Sequence, residues 1–356
     1  MRLLVVLLLV GLVACSRKSE KKQITVKEVS LGTTDDLGAP KRLSDWNLFE
    51  QPLANLSPEK DVIPYDLNTP LFTDYAHKAR FVKLPEGTTA KYNPVEVMDF
   101  PEGTILIKNF YYPIDFSQPE GDRRIIETRL LINEPKGWNA LVYVWNEKQT
   151  DAELKIAGKN VPVSWTDEKG VLRNVKYSVP NLVQCKSCHE LSGEMSPIGP
   201  TARQLNRSYS YADGSNNQLS KWASLGILSA IPPESEWPII PVWDDETTGT
   251  LDARARAWLE INCAHCHRAV GPAKNTGLYL TYAETDLYKL GLNKPPVAAG
   301  RGSGGLKFGI VPGQPDQSIL YHRISSTDPG VMMPELGRKM NHDEGITLIR
   351  EWIAEM

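Results

Sequence analysis

Short segments in which apolar and polar residues alternate fill the chain between about residues 79 and 180. They are rich in Val, Ile, Tyr and Trp, and turn strings such as "PEG" at 101–103 and "DEKG" at 167–170 separate them. Strands with this spacing are typical of an antiparallel β-sandwich or barrel, which we predict over residues 43–180. The segments are "ARFVKLP", "TILIKNFYYPI", "RIIETRLLINE", "ALVYVWNE", "AELKIAG", "VPVSWTD" and "VLRNVKYSVP".

A helical pattern replaces this alternation in the last third of the chain. Residues 250–267, "TLDARARAWLEINCAHCH", begin with a threonine that is suited to a helix N-terminus. Residues 343–356 place apolar side chains at spacings of 3, 4 and 3. We therefore predict two helices that pack against each other. Their apolar stripes consist of Leu251, Ala255, Trp258 and Leu259 in the first, and of Ile346, Ile349, Ile353 and Met356 in the second.

The first 15 residues predict an export signal. Their apolar run, "LLVVLLLV", is too short for a bilayer span of roughly 20 residues. The string "LVAC" resembles the bacterial lipoprotein signal, in which the cysteine, here Cys15, is lipidated; an ordinary secretory signal is the alternative. Residues 16–42 predict a flexible tether. We expect an exported lipoprotein on the periplasmic side of the cell envelope, with the outer membrane favoured because no aspartate follows Cys15.

Composition and charge narrow the class of protein. The chain has 356 residues, which allows two domains, and its 41% hydrophobic and 23% charged residues are typical of a globular protein. The formal net charge is -3, and no basic cluster is present. Nucleic-acid binding requires a concentrated basic face, so we expect no nucleic-acid partner.

The string C-x-x-C-H occurs twice, as "CKSCH" at 185–189 and "CAHCH" at 263–267. A zinc ribbon also uses two C-x-x-C pairs, but usually about 15 to 20 residues apart. Here 74 residues separate the pairs, and zinc does not explain a histidine after each. A thioredoxin-like redox pair requires a βαβ setting that neither copy has.

Covalently attached haem explains every feature of the two strings. Cysteines at i and i+3 of a helix lie on one side, where both reach one porphyrin, and the next residue directs its imidazole toward the iron. The string is the c-type haem attachment signature. We therefore predict two haem c groups. Their attachment residues are Cys185, Cys188, Cys263 and Cys266, and their proximal iron ligands are His189 and His267.

The sixth iron ligand is easier to predict for the second haem than for the first. Met333, in "VMMPELGRK", is predicted for the second haem, with Met332 as its rival and a core role for both as the alternative. A His/Met pair raises the reduction potential. For the first haem the candidates are Met195 and His77, or an open position. Weaker candidates are His322, His342 and Met98, and His265 is expected to face solvent.

Residues 251–356, with haem helix, methionine loop and closing helix in order, resemble class I cytochrome c. Residues 43–356 resemble a family of secreted bacterial dihaem c-type cytochromes, through strings such as "YDLNTPLF", "FPEGTILIKNF", "CKSCH", "NCAHCH" and "MMPELGR". The resemblance implies an α+β multidomain chain. An N-terminal antiparallel β-sandwich or barrel precedes an all-α cytochrome c-like dihaem domain, with a first haem-binding segment at 181–249 and the cytochrome c-like domain at 250–356.

Three functions agree with these features. The first is electron transfer to or from a redox partner protein, such as a periplasmic dehydrogenase or another cytochrome. The second is a dihaem enzyme, peroxidase-like or acting on a small substrate, with an open first iron. The third is a carbohydrate or polymer binding module with accessory haems. We favour electron transfer and identify no catalytic residue.

Overall fold

The computed structural model describes residues 38–356, so Cys15, the signal segment and most of the tether lie outside the described residues. The strands are β1 Ile63–Tyr65, β2 His77–Lys83, β3 Ala90–Lys91, β4 Ile105–Pro113, β5 Arg123–Glu134, β6 Gly137–Trp145, β7 Ala152–Leu154, β8 Lys159–Thr166, β9 Leu172–Val179, β10 Glu190–Leu191, β11 Glu194–Met195, β12 Ser208–Tyr211, β13 Gly214–Asn217 and β14 Leu228–Ser229. The α-helices are α1 Leu182–His189, α2 Ala202–Leu205, α3 Gln218–Ser224, α4 Leu251–Leu259, α5 Ile319–Ile324 and α6 Asp343–Ala354. None of these helices has the length and apolar character that a bilayer crossing needs.

One antiparallel sheet forms the framework of the molecule. Its strand order is β1-β2-β4-β5-β6-β7, and β8 and β9 pair separately as a hairpin. All seven segments predicted as strands form strands, β2 and β4 to β9. They do so because their alternating side chains fit a pleated surface with two different faces.

The two faces of the sheet pack against different parts of the chain. One face carries Ile107 and Tyr143 and covers the N-terminal segment around Leu43 and Phe49. The other face carries Leu106, Lys108 and Phe110, and we call it the cleft face, because the clefts described below border it. The β8–β9 hairpin covers one end of the cleft face, and α2 and α3 cover the other.

The two predicted C-terminal helices are confirmed. The Thr250 side chain accepts a hydrogen bond from the Ala253 amide (3.2 Å), so α4 begins where the sequence indicated. Helix α6 begins at Asp343 and packs against α4, with Ile349 fully buried between them. The Trp352 indole donates to the Asp252 carboxylate (2.8 Å) across the contact.

The predicted fold class is wrong. Strands account for 27% and helices for 23%, and none of the described parts of the chain is all-α, so an all-α cytochrome c-like dihaem domain is not present. Between α4 and α5 the Gly- and Pro-rich residues 268–318 have no helical periodicity and form turns instead. Strand β14 also pairs with β3 and so joins the two halves. The main sheet is open, and the separate β8–β9 hairpin packs on one of its faces.

Candidate functional site

The first C-x-x-C-H string lies on a helix with a well-defined start. Asn181 and Gln184 form a capping box, in which the Asn181 side chain accepts from the Gln184 amide (2.9 Å) and the Gln184 side chain accepts from the Asn181 amide (2.9 Å). This start places Cys185, Cys188 and His189 in the last two turns of α1. Cys185 is buried and Cys188 is half-buried.

The His189 ring is held by the chain that follows it. Strands β10 and β11 form a tight hairpin that brings Ser196 back to His189, and the Ser196 carbonyl lies 2.9 Å from Nδ1 of the ring. A carbonyl only accepts, so Nδ1 carries the proton and Nε2 keeps its lone pair. Burial lowers the pKa of His189 to about 4, which keeps the ring neutral. The ring is therefore prepared to ligate a metal through Nε2.

The second string lies on a different local structure. Helix α4 continues into a π-helical turn, Glu260–Ala264, which contains the buried Cys263. After it the backbone turns tightly, with the His267 amide donating to the Cys263 carbonyl (2.9 Å). Gly271 touches the Cys266 carbonyl so closely that a Cβ there would lie 2.4 Å from its oxygen. Irregular π-helical turns are frequent at functional sites.

The Nδ1 atom of the His267 ring has a weaker hydrogen-bond contact than that of the His189 ring. Its Nδ1 lies 3.5 Å from the Thr276 hydroxyl, at the limit of a hydrogen bond. Burial lowers the pKa of His267 to about 4, and a hydrogen bond to the Leu278 backbone opposes this shift. The neutral ring is again in the form that binds a metal.

The cysteines do not match the two alternatives to haem. All four are free, and burial raises the pKa of Cys263 and Cys266 to about 12, whereas a redox-active thiol needs a lowered pKa. Within residues 38–356 no group of three or more His, Cys, Asp or Glu side chains is arranged to hold a metal ion, so the thiols do not form a zinc centre. A haem iron needs only two axial ligands from the chain.

Each string borders its own cleft, and the two clefts adjoin. The first cleft, beside Cys185 and His189, has a volume of about 200 Å³, and the second, beside Cys263 and His267, about 390 Å³. Ligand pockets are usually about 300–1,000 Å³, so the second cleft lies within this range and the first lies below it. Residues that border both clefts are Cys188, Asn262, His265, Ile324, Met333, Pro334, Glu335 and Leu336.

The predicted ligand Met333 borders both clefts. Its amide donates to the Arg323 carbonyl (3.1 Å), and its own carbonyl accepts from the Arg338 guanidinium (2.8 Å). Both backbone groups of this residue are therefore fixed. Met332 is buried (3% exposed) and is not among the residues that border either cleft, which agrees with a core role.

The predicted ligands of the first haem do not border the first cleft. Met195 lies on β11, in the same hairpin that holds His189, and packs against the cluster under the β8–β9 hairpin. The chain turns back directly after His189 through this hairpin. His77 begins β2 and contacts the rings of Tyr111 and Phe116.

The weaker candidates for the first haem also have other surroundings. Met98 is buried in the cluster with Trp222. His322 lies on α5, close to Gly304. His342 borders the first cleft, but its Nδ1 accepts from the Trp258 indole (2.9 Å), so its proton is on Nε2 and no lone pair remains free.

His265 does not face solvent as expected. It is half-buried, borders both clefts, and its Nδ1 is buried without a hydrogen-bond partner among the described residues. The π-helical turn before it explains the difference, because one extra residue in a turn rotates the following residues by about 100° relative to an α-helix.

Sequence reasoning also missed a row of three cations on the cleft face. Arg80, Lys108 and Arg129 are direct partners across β2, β4 and β5, and all three border the first cleft. The signal was present in "TILIKNF", where Lys108 occupies the same alternating set of positions as Leu106 and Phe110.

No family model, curated protein or solved structure matches this chain. The resemblance to secreted dihaem c-type cytochromes therefore stays a prediction.

Proposed function

We propose that this protein is a lipid-anchored dihaem c-type cytochrome that transfers electrons in the bacterial cell envelope. One observation carries the proposal: two C-x-x-C-H strings, separated by 74 residues of sequence, border adjoining clefts with a common wall. Two redox centres bound side by side are what an electron relay requires. Four thiols that form neither a disulfide nor a metal centre among the described residues agree with thioether attachment.

Each residue of the two strings has a role in this proposal. Cys185 and Cys188 attach the first haem and Cys263 and Cys266 the second. When bound, haem c supplies one-electron redox chemistry at its iron. His189 and His267 present neutral rings as proximal ligands. Met333 is held by its backbone at the wall between the clefts, where its thioether is available to the second site.

The chain also supplies the surroundings that tune such a centre. Apolar side chains such as Leu280, Leu290 and Ile310 line the second cleft and exclude water from it. Exclusion of water lowers the local dielectric constant and so changes the reduction potential. The first cleft has cationic residues on its sheet wall, so the two sites have different electrostatic surroundings.

The proposed partners follow from the predicted lipid anchor and from the charge of the sequence. A lipid on Cys15 and the predicted tether after it would keep the protein near the membrane, within reach of a redox partner protein such as a periplasmic dehydrogenase or another cytochrome. The last residues of the predicted tether are held against the sheet, where the Tyr143 hydroxyl donates to the Pro40 carbonyl (2.8 Å). The absence of a basic cluster from the sequence gives no reason to expect nucleic acid.

A second candidate function is a dihaem enzyme with an open position at the first iron. One observation favours it: neither Met195 nor His77 borders the first cleft. The two functions differ in the coordination of that iron, because an open, high-spin site binds cyanide or peroxide and a six-coordinate site does not.

Absorption spectra of the purified protein, made in a host that attaches haem c, test the proposal. We expect a pyridine haemochrome assay to give two haems per chain and the ferric spectrum to be low-spin at both. A protein without haem would overturn the proposal, and two haems with one cyanide-binding, high-spin site would favour the enzyme.

A further inference from the structure

The cation row on the cleft face requires an explanation. Arg80 pairs directly with Lys108, and Lys108 with Arg129, so three cationic residues lie side by side on adjacent strands. Like charges directly opposite each other destabilise a sheet. The row is also flanked by two apolar clusters, under the β8–β9 hairpin and under α2 and α3.

Two members of the row have carboxylate partners, and the middle one has none. Arg80 forms an ion pair with Asp66 (2.5 Å), and Arg129 forms one with the fully buried Glu127 (2.5 Å). Within residues 38–356 no hydrogen bond or ion pair engages the Lys108 amine; its nitrogen lies 4.8 Å from the centre of the Phe110 ring.

An ammonium group is poorly accommodated at this position. A cation–π contact offsets only part of the cost of desolvating an unpaired charge. Burial, and then Arg80 and the other nearby cations, hold the pKa of Lys108 well below its usual range. Once it has lost its proton, the amine has a lone pair that can ligate a metal.

Lys108 borders the same cleft as His189, and three other possible donors there, His342, Tyr65 and Met333, are engaged in other ways. His342 accepts from Trp258 through Nδ1 (2.9 Å). Burial raises the pKa of the Tyr65 phenol to about 12, which keeps it protonated. Met333 borders the second cleft as well, where it is the predicted ligand.

We propose that the amine of Lys108 supplies the sixth ligand to the iron of the first haem, which His189 ligates on its other side. This inference rests on the proposed function, since it requires a haem in the first cleft. It deepens that function, because a first iron with two ligands from the chain is an electron carrier and leaves no open position for peroxide. Arg80 and Arg129, on either side of Lys108, are themselves paired with Asp66 and Glu127, so these carboxylates do not pair with the Lys108 amine.

His265 is the rival donor, because it borders the first cleft and its Nδ1 has no partner among the described residues. His265 also borders the second cleft and belongs to the second attachment string. Of the two clefts, Lys108 borders only the first. Comparison of variants at both residues therefore separates the two assignments.

The test uses the haem-loaded full-length protein and electron paramagnetic resonance of its ferric form. We expect the wild-type protein to give two low-spin signals. Lys108→Ala should retain two haems but convert one of the two signals to high-spin, and added methylamine should restore it. Lys78→Ala is the matched control: Lys78 is on the same sheet face but is not among the residues that border the first cleft, so both signals should stay low-spin.

Other outcomes would overturn the assignment. A high-spin first haem in the wild-type protein, two low-spin signals in Lys108→Ala, or loss of the first low-spin signal in His265→Asn alone would each contradict it. If Lys108→Ala does not fold, Lys108→Met is the alternative variant, because it preserves the side-chain volume. Its low-spin signal should change from that of an amine ligand to that of a thioether ligand. An unchanged signal would contradict the proposal. Absence of haem from the wild-type protein defeats the proposed function itself.

Discussion

The two attachment sites share a five-residue string but are built in different ways. The second cleft is built mainly from the C-terminal part of the chain, by the π-helical turn Glu260–Ala264, by α5 and by the loops between them. The first cleft takes its walls from β2, β4 and β5, from residues 65–73 and from residues 333–339. In the proposed function, a local string therefore specifies where a haem is attached, and distant segments specify what surrounds it.

The hydrogen bonds of the two predicted proximal imidazole rings also differ. The His189 ring donates to a carbonyl at 2.9 Å, whereas the Thr276 hydroxyl lies 3.5 Å from the His267 ring. A hydrogen bond to the outer nitrogen raises the basicity of a ligating imidazole. With an amine at the first iron and a thioether at the second, we expect the second haem to have the higher reduction potential.

The largest expected effect is the loss of one haem at a time. Replacing Cys185 and Cys188 by Ala should reduce the pyridine haemochrome count from two to one, because the other string has its own helix and cleft. Replacing Cys263 and Cys266 by Ala should do the same for the other haem. If either double variant loses both haems while the protein stays folded by circular dichroism, the two sites are not independent.

Next in size is the effect of removing the Met333 thioether. Met333→Leu should lower the reduction potential of the second haem, by a part of the roughly 0.8 V over which axial ligands act. Met332→Leu is the matched control and should leave the potential unchanged, because Met332 is buried in the core. Redox titration followed by absorption measures both. Equal shifts in the two variants would mean that Met333 is not the ligand.

Arg338 should matter for stability through the loop that carries Met333. Its buried guanidinium donates to the carbonyls of Met333 (2.8 Å), Ser326 (2.8 Å) and Met340 (3.1 Å). Arg338→Lys leaves several of these acceptors without a donor, so the free energy of unfolding should fall by about 3 kcal/mol.

Guanidinium chloride unfolding measures this change. The control is Arg350→Lys, since Arg350 is exposed, pairs with Asp316 at 3.3 Å, and should change the free energy by no more than about 0.5 kcal/mol. Similar losses in both variants would show that the Met333 loop does not depend on Arg338.

One expected effect is absent near neutral pH and emerges only on acidification, in the pH dependence of stability. His342 stacks on Phe72 (4.2 Å) and accepts from Trp258, so it joins segments of both sites, and burial lowers its pKa to about 3. The pKa of this histidine in the unfolded chain is 6.5. The contribution of His342 to the free energy of unfolding is therefore complete above pH 6.5 and is lost as the pH falls toward 3.

The His342→Gln variant, whose amide oxygen still accepts from Trp258, should lose less stability between pH 6.5 and 4. The difference should approach about 1.4 kcal/mol per pH unit. Denaturant unfolding of both proteins at several pH values measures it. Parallel pH dependences would show that His342 is not held neutral by burial.

The parts predicted correctly are those with local periodicity. Seven strands alternate along their own length, and α4 and α6 show helical spacing with starts at Thr250 and Asp343. The all-α domain was wrong because motif order alone does not make a helical domain, and residues 268–318 contain too many glycines and prolines for helices. The orientation of His265 depends on a π-helical turn that no local pattern signals.

The walls of the first cleft could not be predicted for a different reason. Lys108 and His189 are 81 positions apart in sequence, and the pairing of β2, β4 and β5 determines which side chains face α1. The sequence shows that Lys108 occupies the same alternating positions as core residues, which signals a special role. It does not show which groups surround the amine in the folded protein. Spatial partners of this kind require the fold.

The most direct test of the central claim is peptide mass spectrometry of the mature protein. We predict that the peptides containing residues 185–189 and 263–267 each carry one haem, attached through both of their cysteines. Detection of both peptides with unmodified cysteines and no porphyrin mass, in protein exported by a host that attaches haem c to other proteins, would contradict the account.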